Sequence, residues 1–339
     1  MRTVLGKIGV LGALLGFAVV PHAVQAKSAK EYRKDYQRPK SVPYPDENKY
    51  SKAREELGKT LFFDPRLSSS NWISCATCHN PAFSWGDGLP LATGHGMKIL
   101  GRRTPTILNL AWGEDALFWD GRSDSLEDQA LGPIEAAGEM NLPLDQMEKK
   151  LQAIASYKPL FEKAYPKEGI TRDTVAKAIA TYERGVVSGE APFDRYVKGD
   201  DKAISKAAQR GFVLFNEKAR CNICHSGWRF TDDSFHDIGV PGKDLGRGKV
   251  LEEASLNHAF KTPTLRNADH RGPFMHDGSE ADLAAVIDLY NIGGREKRKT
   301  LSKDIKPLGL TKSEQADLIE FLHTLTSEDK PVTVPVMPR

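Results

Sequence analysis

Two pentapeptides constrain this chain more than anything else in it: Cys75-Ala76-Thr77-Cys78-His79 and Cys221-Asn222-Ile223-Cys224-His225. Cysteines three positions apart stand about one helical turn from each other. Their sulfurs can bond the two vinyl groups along one haem edge while the next residue presents an imidazole to the iron. One Cys-x-x-Cys alone is equally at home in a zinc knuckle or a redox dithiol. Here the chain has four cysteines in all, every one lies in these two motifs, and each pair is followed at once by His. Nothing is left over for a second zinc-ligand pair or a disulfide. The spacing therefore predicts two covalently bound haem c groups, attached through Cys75, Cys78, Cys221 and Cys224, with His79 and His225 as iron ligands.

Residues 1–26 read as a secretory signal peptide: Arg2 and Lys7, an apolar run from Ile8 to Val20, then Ala23-Val24-Gln25-Ala26. The run is too short to remain as a membrane span. The mature chain is expected to begin near Lys27, in the periplasm, with no membrane anchor. Of 48 basic and 45 acidic residues, Arg2 and Lys7 leave with the leader, so the net charge falls close to zero. Residues 27–50 carry most of the local imbalance and read as a solvated basic arm. No basic face is interleaved with aromatics, so nucleic acid is not an expected partner.

The chain contains itself twice. Gly58-Lys59-Thr60-Leu61-Phe62 and Gly211-Phe212-Val213-Leu214-Phe215 precede the two haem motifs. Thr104-Pro105-Thr106-Ile107-Leu108-Asn109 and Thr262-Pro263-Thr264-Leu265-Arg266-Asn267 follow them. Phe118-Trp119-Asp120-Gly121 is then answered by Met275-His276-Asp277-Gly278. Four markers in one order indicate an internal duplication. The periodicity between them is helical, as at Val175, Ile179, Tyr182 and Val186. A mainly α fold is expected, with two tandem cytochrome c-like domains and long loops, over residues 51–192 and 193–328, and a tail at 329–339.

The two copies differ where the chemistry lies. Twelve residues beyond Gly121 stands Pro133; twelve beyond Gly278 stands Tyr290. Proline has no ligating atom, whereas a tyrosine phenolate can bind haem iron. The first iron is thus expected to be open on its distal side and the second to be closed by Tyr290. The competing reading makes Tyr290 a core aromatic on an apolar helix face.

On these residues, together with Phe118 to Arg122, Gln129-Ala130, Gly132-Pro133, Gly138-Glu139-Met140 and the run from Thr262 to Gly278, the chain resembles the bacterial dihaem cytochrome c peroxidase and MauG family. The resemblance covers nearly all of the mature length. It implies a peroxide-reactive first haem and an electron-relay second haem. Tyr rather than Met at the relay ligand is the mark of the MauG branch. By the same resemblance Glu139 is the distal acid-base group, Gln129 and Pro133 are walls of its pocket, and Trp119 carries charge between the haems. His276 falls where a relay-haem propionate would be touched, and Met275 packs. His95 lies in the loop where ordinary peroxidases carry a removable distal ligand, so it is a candidate resting-state ligand against the alternative of a solvent-exposed loop histidine.

Two departures stand out. The positions that hold an interdomain calcium in the family read Arg103 and Arg271, so weak or absent calcium is expected, a guanidinium having no oxygen to donate. Ala219 stands where MauG has a tryptophan at its docking face. Three functions are carried forward. One is a dihaem peroxidase that uses hydrogen peroxide to form a high-valent state and oxidises a partner protein. The second is a cytochrome c peroxidase fed by a small cytochrome c or cupredoxin, and the third a non-enzymatic dihaem electron carrier.

Overall fold

The computed structural model describes residues 28–113 and 115–339; the leader expected over 1–26 lies outside them. The chain is mainly helical, as expected. In order come α1 (Ala29–Tyr32), α2 (Lys52–Phe62), α3 (Cys75–Cys78), α4 (Leu126–Glu135), α5 (Leu144–Gln152) and α6 (Tyr157–Ala164). They are followed by α7 (Arg172–Arg184), α8 (Pro192–Val197), α9 (Lys206–Asn216), α10 (Arg247–Leu251), α11 (Leu283–Asn291) and α12 (Lys312–His323). Among the described residues two short strands pair antiparallel, β1 (Phe235–His236) and β2 (Phe260–Lys261), with Phe235 opposite Lys261. No helix of the described residues is long and apolar enough to cross a membrane.

The duplication is visible as two equivalent helix crossings, α2 on α7 and α9 on α12. Each of these helices starts at a Ser or Thr whose side chain accepts a backbone N–H: Ser51, Thr171, Ser205 and Thr311, which relieves the unpaired donors of a first turn. The glycines of the first repeat marker sit at the crossings. A Cβ on Gly58 would lie 1.8 Å from the Ala178 carbonyl oxygen, and one on Gly211 would lie 1.9 Å from that of Asp317. Glycine is what lets the two backbones meet. The asparagines that close the second marker are equivalent too. Asn109 and Asn267 are both buried and left-handed, and their side-chain oxygens accept the N–H of Ser188 and of Ser327, each at 3.0 Å.

Two hydrophobic cores result. One gathers Leu57, Phe62, Trp85, Ile134, Met147, Phe161, Ile179 and Val186; the other gathers Phe193, Phe212, Phe215, Phe230, Leu318 and Phe321. We propose the domain boundary between 192 and 193 on this ground, since Val186 belongs to the first core and Phe193 to the second. The termini cross over. The basic arm keeps Lys30, Lys34 and Lys40 exposed, but it also packs on the second core, where Arg33 is 8% exposed and Tyr36 is 2% exposed. The Tyr36 ring stacks on Phe230 and its hydroxyl donates to Asn216 at 2.7 Å. A count of charges overlooked these aromatic rings, which are what anchor the segment. In return the tail reaches the first core, where Val332 packs and Arg66 donates to the Pro338 carbonyl at 2.8 Å.

The halves meet in a pseudo-twofold seam. The Lys261 N–H donates to the Trp119 carbonyl at 2.8 Å, and the equivalent Arg103 N–H donates to the His276 carbonyl at 2.9 Å. Gly121 lies against Phe235, and its counterpart Gly278 lies against Pro90. Residue i meeting j while j's copy meets i's copy is the signature of a twofold contact, here within one chain.

Candidate active site

Each haem motif folds as a single turn, α3 in the first half and a 3₁₀ turn over Cys221–Ile223 in the second. In both, the histidine N–H donates to the carbonyl of the first cysteine at 2.8 Å. The imidazoles are then aimed by carbonyls downstream. His79 Nδ1 lies 3.2 Å from the Trp85 carbonyl oxygen and His225 Nδ1 lies 2.9 Å from that of Phe230. A carbonyl can only accept, so Nδ1 carries the proton and Nε2 keeps its lone pair for iron. Burial lowers both imidazole pKa values, favouring the neutral, ligating form.

The carbonyls are held in place by the Thr-Pro-Thr marker. Trp85 and Phe230 both have positive φ, 66° and 57°, and the preceding carbonyls are gripped by hydroxyls: Thr106 donates to Ser84 at 2.8 Å and Thr264 to Arg229 at 2.5 Å. Sequence reasoning found this marker only as a repeat. Its role in setting the proximal histidine had no signal in spacing alone.

Both motifs open on one cavity of about 1030 Å³, at or above the roughly 300–1,000 Å³ of single small-molecule sites. Cys75, Cys78, His79, Cys221, Cys224 and His225 line it. Burial pushes the Cys78 thiol up to about 11 and the Cys221 thiol up to about 12, the opposite of the electropositive setting that makes a dithiol reactive. Among the described residues one cluster, Cys224, Asp232 and His236, brings three metal-binding side chains together. No fourth joins them to close a structural zinc site, and His236 is held 2.8 Å from Asp232. Two such motifs, two buried imidazoles each with Nδ1 bonded to a carbonyl, and one apolar cavity spanning both halves fit a pair of haems.

Above the two motifs, α4 and α11 are equivalent. Ser125 caps the first and Asp282 the second, each four residues beyond its glycine. Gln129 and Pro133, one turn apart on α4, line the cavity, as do Val286 and Tyr290 on α11. The Tyr290 hydroxyl has no hydrogen-bond partner among the described residues, whereas the buried Tyr36 and Tyr157 hydroxyls are bonded to Asn216 and Asp64. Burial pushes the Tyr290 pKa up, so the phenolate needs a cation nearby to form. Glu139 lines the cavity just past the end of α4; burial raises its pKa, with Arg122 opposing. Glu135 is exposed and lies off the cavity.

Trp119 lines the cavity at the seam, its indole N–H donating to the Arg103 carbonyl at 3.0 Å. Its counterpart His276 is 7% exposed and stacks on Phe260 with ring centroids 3.6 Å apart. Met275 lines the cavity as well. His95 does not. Its backbone N–H donates to the Glu139 carbonyl at 2.9 Å, while its ring faces Ser69, with Nδ1 3.3 Å from the hydroxyl. The loop histidine is thus coupled to Glu139 through the backbone and stands outside the cavity wall.

A family model described as di-haem cytochrome c peroxidase matches residues 52–202. The methylamine utilization protein MauG of Methylorubrum extorquens is 52% identical over 307 residues, 89% of this chain and 86% of its own. The cytochrome c551 peroxidase of Pseudomonas aeruginosa is 34% identical over 299 residues, covering 85% of this chain and 83% of its own. Among solved structures, a MauG-like protein associated with microbial copper homeostasis superposes with a TM-score of 0.80 at 30% identity, over 86% of this chain and 95% of that one. These likenesses make the protein an enzyme, a haem-dependent oxidoreductase of the peroxidase type, which sets the electron-carrier alternative aside. With two cytochrome c-like halves around a shared cavity, the chain belongs to the MauG branch of the dihaem cytochrome c peroxidase family.

Proposed function

We propose that the protein takes oxidising equivalents from hydrogen peroxide at the His79 haem and delivers them, by way of the His225 haem, to a partner protein in the periplasm. The observation that carries this reading is the pairing of Pro133 and Tyr290 at equivalent positions of α4 and α11, both on the wall of one cavity. Haem attached through the four cysteines supplies the redox chemistry. The chain's own side chains divide the rest. His79 and His225 would hold iron through Nε2, their Nδ1 protons kept by the Trp85 and Phe230 carbonyls. Pro133 leaves room for a small oxidant on the first distal side. Tyr290 would close the second, and as a phenolate would bring a negative charge to the iron held there.

Glu139 takes the proton that peroxide loses on binding and returns it to the departing oxygen, one carboxyl serving as base and then as acid. Its raised pKa suits both halves of that cycle. Gln129 forms the polar wall beside it, and Trp119, at the seam between the halves, carries charge across. The location rests on the leader sequence. The partner is a periplasmic redox protein or protein substrate; buried Ala219 stands where MauG has a tryptophan at its docking face, so the partner need not be that of MauG. The cytochrome c peroxidase alternative, with His95 as a resting ligand, loses support from the position of that ring outside the cavity.

Low-temperature electron paramagnetic resonance of the oxidised protein, before and after one equivalent of peroxide, tests the reading. One high-spin and one low-spin signal are expected, both lost with peroxide and recovered slowly. Tyr290→Met should leave the high-spin signal, change the low-spin g-values and abolish the slow recovery. Two low-spin haems that ignore peroxide until an electron is added would replace this reading with an activatable cytochrome c peroxidase.

A further inference from the structure

Two guanidiniums at the seam lack the partner that other buried arginines of this chain possess. Arg102 grips Asp120 at 2.6 Å and Asp244 at 2.7 Å, Arg184 grips Glu127 at 2.7 Å, and Arg266 grips Asp194 at 2.8 Å. Arg103 and Arg271 reach no carboxylate among the described residues. Arg271 spends its donors on main-chain carbonyls, Thr264 at 2.6 Å, Arg266 at 2.8 Å and Asn267 at 3.3 Å. Arg103 donates one N–H to the Arg271 carbonyl at 2.7 Å, and its buried Nε has no partner at all.

Their positions are as informative as their bonding. Arg103 is 7% exposed. Arg271 keeps more accessible surface, and both line the cavity that spans the two haem motifs. The main chain of Arg103 is bonded to His276 across the seam, so the two cations sit where the halves join. Buried positive charge with empty donors demands an anion. Burial lowers the pKa of Arg103, against the attraction of Asp87, and burial together with repulsion from Arg103 lowers that of Arg271 to about 9; an anion between them would oppose both shifts.

We propose that Arg103 and Arg271 form a carboxylate-binding site for a haem propionate at the seam, supplying in the protein itself the positive charge that a divalent cation would otherwise bring there. The inference rests on the haem assignment above. A guanidinium fork matches a carboxylate in geometry as well as charge, and a haem in this cavity presents two such groups. The site ties the orientation of the cofactor to the contact between the halves, with no exchangeable metal.

The test uses holoprotein, with the haem count taken first by pyridine haemochrome; a count other than two per chain would refute the haem reading itself and is scored separately. Wild type should hold no stoichiometric calcium by mass spectrometry and keep its spectra and midpoint potentials in excess chelator. Arg103→Met and Arg271→Met should shift a propionate-bending band in the resonance Raman spectrum and lower the midpoint potential of at least one haem, while Arg271→Lys should retain most of the wild-type potential. A merely structural role would not move the propionate band. One calcium per chain in wild type would overturn the proposal. So would methionine variants with two haems whose band and potentials are unchanged. If Arg271→Met fails to fold, Arg103→Met decides alone.

Discussion

Glu139→Gln is the substitution that separates a catalytic carboxyl from a wall of the pocket. The side chain lines the cavity beside Gln129 and Pro133, and desolvation holds its pKa above the ordinary glutamate range, with Arg122 pulling the other way. A positioned acid-base group contributes about 10²–10⁴-fold, which at 1.36 kcal/mol per tenfold is about 2.7–5.4 kcal/mol of barrier. Gln fills the same space without a titrating proton, so the rate of the peroxide-induced Soret change in stopped flow should fall by that factor. The pH dependence carries the sign. The base form must be present to accept the peroxide proton, so the wild-type rate should rise with pH through a value above the usual carboxylate range, and this limb should vanish in the variant. Stability moves the other way. A carboxyl whose folded pKa is raised loses stability as pH rises from its unfolded pKa through the folded one, because burial penalises the ionised form; Glu139→Gln removes the penalty and should be no less stable at pH 8. A variant within tenfold of wild type that keeps the acid limb would refute the assignment.

Gly58→Ala and Gly211→Ala each place a methyl within 2 Å of a helix carbonyl at equivalent crossings; each should cost at least about 1–3 kcal/mol, read as a lowered thermal midpoint, with loss of one core at a time if the halves unfold separately. Asp194→Asn leaves the fully buried Arg266 without its counter-charge, and should cost about 3–5 kcal/mol in urea unfolding; a loss under 1 kcal/mol would mean that the Trp228 carbonyl, 2.7 Å from Arg266, suffices.

The parts legible in the sequence were those carried by spacing. Cys-x-x-Cys-His states covalent chemistry in five residues, and the duplication let one copy serve as a ruler for the other, which is how Tyr290 emerged opposite Pro133. What escaped was carried by backbone. The carbonyls of Trp85 and Phe230 that aim the proximal imidazoles depend on φ angles no side chain announces, and the threonine hydroxyls that hold those loops looked like repeat markers only. The arm was legible only in part, for a different reason. Its lysines are solvated as their charge implies, but the Tyr36 ring, 2% exposed among them, anchors the segment.

The pseudo-twofold seam explains why a duplicated carrier fold can act in one direction. In a symmetric contact each position near the axis appears twice, so identical halves would present identical redox environments and no gradient between them. Here the scaffold is kept in both copies: the crossing glycines, the buried asparagines and the threonine-gripped loops within each half, and the reciprocal bonds from Arg103 and Lys261 across the seam. Departures from symmetry fall on the cavity wall, where His276 stands in place of Trp119 and Tyr290 in place of Pro133. Symmetry thus sets the two haem motifs in equivalent frames, and under the function proposed above the four side chains that break it would give one half to the oxidant and the other to storage and export. Exchanging a pair, as in Pro133→Tyr with Tyr290→Pro, is expected to abolish turnover rather than reverse it, because Glu296, the counterpart of Glu139, is exposed and lies off the cavity.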